Sequence, residues 1–229
     1  MEYNRQEENT KAQEFVKKLS LEMKPEEAVL LDALKENPQH ASGEHYTFSC
    51  LVPSELRQKI EPITEDLRKI DPSLILNDPA LYHLTAFWCS MEKDIKQLSV
   101  IFKEELEREP ISFDLHGLVF LPFGISLKAY PTSDNFFRLR EKLFSAAGQE
   151  LPKNPDGSLH ERAVSTWITL GRYTRRPNQD LRDYICERLD VDFGVFTPDS
   201  FGIYVSNNKY LYKPQLLENV INVSINGDK

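Results

Sequence analysis

The sequence predicts an α+β protein with two related lobes, antiparallel sheets lining a central cleft, and a helical arm ahead of them. Three observations point there. From Tyr46 onward, short runs rich in apolar and β-branched residues alternate with amphipathic helical stretches. Two of the strand-like runs carry a related motif, Tyr82-His83-Leu84-Thr85-Ala86-Phe87 and, in the second half, Thr166-Trp167-Ile168-Thr169-Leu170-Gly171. Residues 1–44 differ in kind, being polar and rich in Glu, Lys and Gln.

In the arm, a helix is expected from Thr10 to Leu21 and a second from Pro25 to Leu34, where Pro and Glu suit a first turn. Asn37-Pro38 stops it and Ala41-Ser42-Gly43 reads as a linker, so the arm is 1–44 and the two-lobed domain 45–229. The arm is expected to pack on the domain as a cap. A strand from Tyr46 to Val52 leads through Pro53 and Ser54 into a helix, Glu55–Ile70. The strand Tyr82–Cys89 precedes the helix Lys93–Glu107. Strands Ile111–Phe120 and Gly124–Ala129 form a hairpin about Leu121-Pro122-Phe123. The helix Asn135–Ala147 ends at Gly148, and Pro152–Ser158 is a loop. The second motif lies on a strand Ala163–Tyr173, followed by the helix Gln179–Leu189. Strands are expected at Phe193–Thr197, Ile203–Ser206 and Val220–Ile225. Each half thus places an X-hydrophobic-Thr motif on a strand that precedes a helix.

Composition narrows the function. A net charge of −8 and a pI near 5.3 argue against a surface that coats nucleic acid, without excluding a local basic cleft. Cys50, Cys89 and Cys186 are few and widely spaced, which favours reduced, buried thiols over a disulfide framework or a zinc site. No apolar run reaches the roughly 18 residues of a membrane span, and the polar start is unlike a signal peptide, so a cytoplasmic protein is expected. There is no GxGxxG, P-loop, CxxC or HExxH to support dinucleotide, NTPase or zinc chemistry.

Strand periodicity places His83 with Thr85 on one face, and Trp167 with Thr169 on another. Phe48-Ser49-Cys50-Leu51-Val52-Pro53-Ser54-Glu55-Leu56, His83-Leu84-Thr85 and Trp167-Ile168-Thr169-Leu170-Gly171-Arg172 together resemble the 2H phosphoesterase superfamily, which includes 2′-5′ RNA ligase-like proteins and cyclic phosphodiesterases. The resemblance spans roughly Tyr46 to Asn226 and leaves the arm unmatched. It implies two lobes about a cleft, with one His-hydrophobic-Thr motif from each. Two histidines would serve as general base and acid on a phosphodiester, the threonines would hold phosphoryl oxygens, and no metal or other cofactor would be needed. Imidazole suits both proton roles near neutrality.

Here His83, Thr85 and Thr169 keep the matched positions, and Trp167 stands where the second histidine would be. Indole donates a hydrogen bond but cannot carry a proton in either direction. Trp167 and Phe48 are candidates for stacking on a base or filling the cleft. His116, His160 and Tyr173 are candidates for the missing group, Tyr173 because it shares the face of Trp167 and Thr169 in a regular strand. In the run Arg172-Tyr173-Thr174-Arg175-Arg176, Arg175 and Arg176 are candidate phosphate anchors, with a solvated loop paired to Asp180 or Asp183 as the plainer alternative. Arg172 is expected to point away from Thr169. Glu26-Glu27 and Glu104-Glu105 read as solvated helix faces. The expected ligand is an RNA end or a small phosphodiester nucleotide, bound by a monomer. The activity is a phosphodiesterase or 2′-5′ RNA ligase type, or else binding without turnover on the same scaffold.

Overall fold

The computed structural model describes residues 3–31, 45–90, 92–198, 200–206 and 215–216. Helix α1 spans Arg5–Glu22 and strand β1 His45–Leu51. Helix α2 (Ser54–Ile70) and a two-residue strand β2 (Ile75–Leu76) lead to β3 (His83–Ser90) and α3 (Ile95–Arg108). The hairpin β4 (Phe113–Leu121) and β5 (Gly124–Pro131) is followed by α4 (Asn135–Ala146), a one-turn α5 (Glu161–Val164) and β6 (Thr166–Arg172). Helix α6 (Gln179–Cys186) and strands β7 (Asp192–Phe196), β8 (Gly202–Ser206) and β9 (Gln215–Leu216) complete the order.

The strands form two antiparallel sheets, β3-β1-β8-β9 and β2-β6-β5-β4-β7. Each motif strand sits at or next to a sheet edge, and the two edges meet. The helices cover the outer faces, where one core runs beneath both sheets. Phe48 of β1 packs edge-on against Phe102 of α3, and Phe87 of β3 against Phe144 of α4. Phe113 of β4 meets Phe136 of α4 in the same way. Cys50 and Cys89 are buried free thiols in this core, and Cys186 is free and half-buried. Among the described residues no helix is long and apolar enough to cross a membrane.

The hairpin turn is built by Gly124. Its φ of +146° suits glycine, and a Cβ there would lie 2.2 Å from the Gly171 carbonyl oxygen. That close approach brings β5 onto β6 just before Arg172.

Three expectations need correction. Of the helix expected over Pro25–Leu34, the described residues hold a 3₁₀ turn at Pro25–Glu27 and no helix over 28–30. Beyond it the Val29 N–H donates to the Pro122 carbonyl and the Leu31 N–H to the Tyr173 carbonyl, so tertiary partners take the donors that a longer helix needs. Residues 32–34, the linker and the strand Val220–Ile225 lie outside the described residues. The strand over Ala163–Tyr173 is shorter, because His160 caps α5 by accepting from the Arg162 N–H at 3.1 Å. Glu105 is not solvated. It is 1% exposed and forms ion pairs with Lys142 at 2.5 Å and Arg108 at 3.2 Å.

Helix α1 is bound to the domain along one face. Ala12, Val16 and Ser20, four residues apart, are its buried positions. Val16 packs with Val119 and Leu189, the Phe120 N–H donates to Ser20 Oγ at 3.2 Å, and Asn9 donates to the Pro131 carbonyl at 3.0 Å. The Arg182 guanidinium reaches back to the Met23 carbonyl at 2.9 Å and also to that of Leu21.

Candidate functional site

Where the two sheets meet, the Thr166 hydroxyl of β6 donates to the Thr85 carbonyl oxygen of β3 at 2.9 Å. The first lobe's motif and the second's are therefore neighbours. On β3, Leu84 faces the core while His83 and Thr85 are only partly buried. On β6, Ile168 is in the core while Trp167 and Thr169 are only partly buried. Both motif pairs thus line the groove side.

The two strands share a further device. In the pairing of β1 with β3, Phe48 faces Phe87 and Ser49 faces Thr85, so Ala86 is an extra residue. In the pairing of β5 with β6, Ile125 faces Gly171 and Ser126 faces Thr169, so Leu170 is an extra residue. Each strand therefore bulges immediately after its motif threonine, and each threonine sits opposite a serine. A bulge shifts the alternation of side chains by one.

That shift reverses two expectations about β6. Arg172 rejoins the groove face, and its charge is felt by His83. It also donates to the Phe123 carbonyl at 2.9 Å, which ties it to the β4–β5 turn. Tyr173 turns into the core instead, 1% exposed against Phe120, and cannot replace the missing histidine.

His83 Nδ1 lies 2.9 Å from the Leu81 carbonyl oxygen, which fixes the tautomer: Nδ1 carries the proton and Nε2 the lone pair. Burial, with the Arg172 charge adding to it and the Leu81 hydrogen bond opposing it, brings its pKa down to about 4. Near neutrality His83 is an uncharged imidazole, suited to accept a proton.

Trp167 is held in place by cations. Its ring centroid lies 4.9 Å from Lys128 Nζ and 5.7 Å from the Arg162 guanidinium carbon. Lys128, directly opposite Trp167 in register, is 1% exposed and forms a 2.8 Å ion pair with Glu161. Burial pulls the Lys128 pKa down against the pull of Glu161. Burial works against the Glu161 charge as well, yet Lys128 and Arg162 together hold its carboxyl below the usual range. Val119, Ser126 and Thr169 are aligned across three strands, so Val16 of α1 packs on the same sheet face as Thr169. The arm helix therefore packs on the sheet face that carries Thr169, over β4.

Other candidates lie elsewhere. Phe48 is fully buried between Phe87 and Phe102, so it neither stacks on a ligand nor fills the cleft. Arg175 pairs with Asp71 at 3.2 Å and donates to Ser73 Oγ at 2.7 Å, partners other than Asp180 or Asp183. Arg176 is exposed in the same loop. His160 is engaged as the α5 cap. His116 lies on β4, separated from β6 by β5, with Nε2 3.6 Å from Asp190. Its ligand atom and those of Asp114 and Asp192 lie within 4.8 Å of one another, the one such trio among the described residues that could hold a metal ion. All three are at least partly exposed, as acidic surface groups commonly are.

Sequence reasoning missed Arg172 and the two opposing serines, since nothing in a run of apolar residues announces a bulge.

No protein-family model matches the chain, and no curated protein matches it. Solved structures do. A phosphoesterase superposes with a TM-score of 0.51 at 16% identity, covering 77% of this chain and 97% of that one. Escherichia coli LigT complexed with ATP superposes with a TM-score of 0.50 at 16% identity, covering 77% and 96%. At such identities the likeness is one of fold, and the chain has the fold seen in LigT and in that phosphoesterase.

Proposed function

We propose that the groove between β3 and β6 binds a phosphodiester, either an RNA end, a cyclic phosphate or a small nucleotide, and that His83 acts on it as a general base. The strongest support is the state of His83: neutral, fixed by the Leu81 carbonyl, and beside a cationic arginine. Arg172, Thr85 and Thr169 are the donors for the phosphoryl oxygens. In hydrolysis a water oxygen attacks phosphorus, its proton passes to His83 Nε2, and the bond to the leaving oxygen breaks. Trp167 offers no proton to that oxygen, which takes one from solvent. General acid assistance is typically worth about 10²- to 10⁴-fold, so turnover is slow and depends steeply on the leaving group. The fold likeness to LigT, a protein solved with ATP bound, supports the ligand class.

A second reading is favoured by one observation. Trp167 is packed between Lys128 and Arg162 in the place of the acid, as suits a site that binds without turnover.

Turnover and binding of 2′,3′-cyclic AMP, 2′-5′ oligoadenylate, cyclic-phosphate RNA ends and bis(4-nitrophenyl) phosphate separate the two. Catalysis predicts hydrolysis of the nitrophenyl diester, with its good leaving group, lost in His83→Ala while binding persists. Binding of these compounds with no hydrolysis of any leaves the noncatalytic reading. Failure to bind any of them removes both.

A further inference from the structure

The bulge of β6 is held from its other edge by Asn77. Strand β2 pairs with β6 at Ile75 opposite Arg172 and at Leu76 opposite Gly171. The next residue continues that ladder with two donors. The Asn77 N–H donates to the Leu170 carbonyl at 2.9 Å, and its side-chain Nδ2 to the Thr169 carbonyl at 2.8 Å. Successive carbonyls of a regular strand point to opposite edges, so one neighbouring strand does not bind both. Here the extra residue Leu170 turns both toward β2, and the Asn77 amide supplies the second N–H that the backbone lacks.

What the bulge decides is the facing of Arg172. Regular alternation would turn it away from Thr169; the bulge returns it to the groove face, where His83 feels its charge. The same segment continues to the first motif. Asp78 caps a 3₁₀ turn, Pro79–Leu81, by accepting from the Ala80 N–H at 2.9 Å, and Pro79 fixes its own φ. The Leu81 carbonyl at the end of that turn is the acceptor of His83 Nδ1. One short, stiffened segment therefore touches both halves of the site, with Asn77 at the bulge and Leu81 at the imidazole.

Resting on the phosphodiester reading above, we propose that Asn77 is a positioning residue: its amide holds the β6 bulge and thereby aims the Arg172 guanidinium at the phosphoryl group on which His83 acts. Asn77 touches no ligand, and its effect passes through Arg172. Its side chain is partly exposed, so its loss removes one hydrogen bond from the fold and little packing. The larger effect falls on the site, because a bulge that relaxes takes the direction of Arg172 with it.

Two measurements on the full chain test this. The first needs no ligand: the NMR titration of His83, assigned by its absence in His83→Gln. Arg172→Gln should move the midpoint up, since the arginine charge opposes protonation. Asn77→Ala should move it up by at least half as much, and Asn77→Ser, which keeps a donor, by less. Both variants should melt within a few degrees of wild type. The second is calorimetry with 2′,3′-cyclic AMP. Asn77→Ala should weaken binding by about tenfold in wild type but by less than about twofold in the Arg172→Gln background, because residues that act through one another are not additive. A His83 midpoint unchanged in Asn77→Ala, or equal weakening in both backgrounds, overturns the positioning role while the phosphate site stands. Absence of binding by wild type overturns the phosphodiester reading, and the titration then decides alone whether Asn77 places Arg172.

Discussion

Thr166 Oγ1 donates to the Thr85 carbonyl oxygen across the junction of two sheets that share no ladder. Thr166 is 3% exposed, and the bond links the strand of the first motif to the strand of the second at the point where their threonines must converge. One side-chain hydrogen bond is worth only about 1 kcal/mol net. Its importance is positional, because it fixes His83 and Thr85 relative to Trp167 and Thr169.

The pH dependence follows from His83. Its pKa is depressed from 6.5 to about 4 in the folded protein, chiefly by burial. The unfolded chain therefore binds a proton in the window between those values while the native one does not. Stability should fall as pH drops from about 6.5 to about 4, and be insensitive to this group above 6.5. The loss is on the order of 2–3 kcal/mol, allowing for the partly exposed ring. In His83→Gln, denaturant melts across this window should lose that component. If His83 is the base, the acid limb of kcat/KM should lie near 4. A limb near 6.5, or a melt profile identical to wild type in the variant, would contradict the environment described for His83.

Restoring the second histidine should be less effective than the motif implies. In Trp167→His the imidazole would sit beside Lys128 and Arg162, with Glu161 offsetting one of the two charges. The remaining positive charge favours the neutral ring, which cannot donate the proton that a leaving oxygen needs. Turnover of 2′,3′-cyclic AMP should rise by less than about 10²-fold, and adding Arg162→Gln should raise it further and move the optimum toward neutrality. A full restoration by Trp167→His alone would show that the two cations do not govern the site.

Much of this was legible in the sequence. Alternating apolar patterns located the motif strands, and the glycine after Ala147 marked a helix end, where Gly148 takes a φ of +65°. What was not legible is what depends on counting. A bulge adds one residue to a strand without changing its composition, so simple parity misplaced both Arg172 and Tyr173. Phe48 was misread for a related reason: an aromatic on a motif-bearing sheet has equal claim to either face until the register is known. The extended segment after Glu27 was hidden because its hydrogen-bond partners, Pro122 and Tyr173, are distant in the chain.

The buried pair under Trp167 gives the most direct test of how that side of the groove is held. Lys128 and Glu161 are joined at 2.8 Å, and Ser165 Oγ donates to the same carboxylate oxygen at 3.1 Å. Lys128→Met removes the main partner of a carboxylate that burial already disfavours, and should cost about 3 kcal/mol. Replacing both, Lys128→Met with Glu161→Leu, removes the uncompensated charge and should recover more than half of that loss, because a matched apolar pair avoids the desolvation that an ion pair must overcome. Urea titration of the wild type, both single variants and the double variant gives the coupling energy directly. Additive losses would mean that the two charges act independently, and that Trp167 is positioned by its own packing rather than by the cation opposite it.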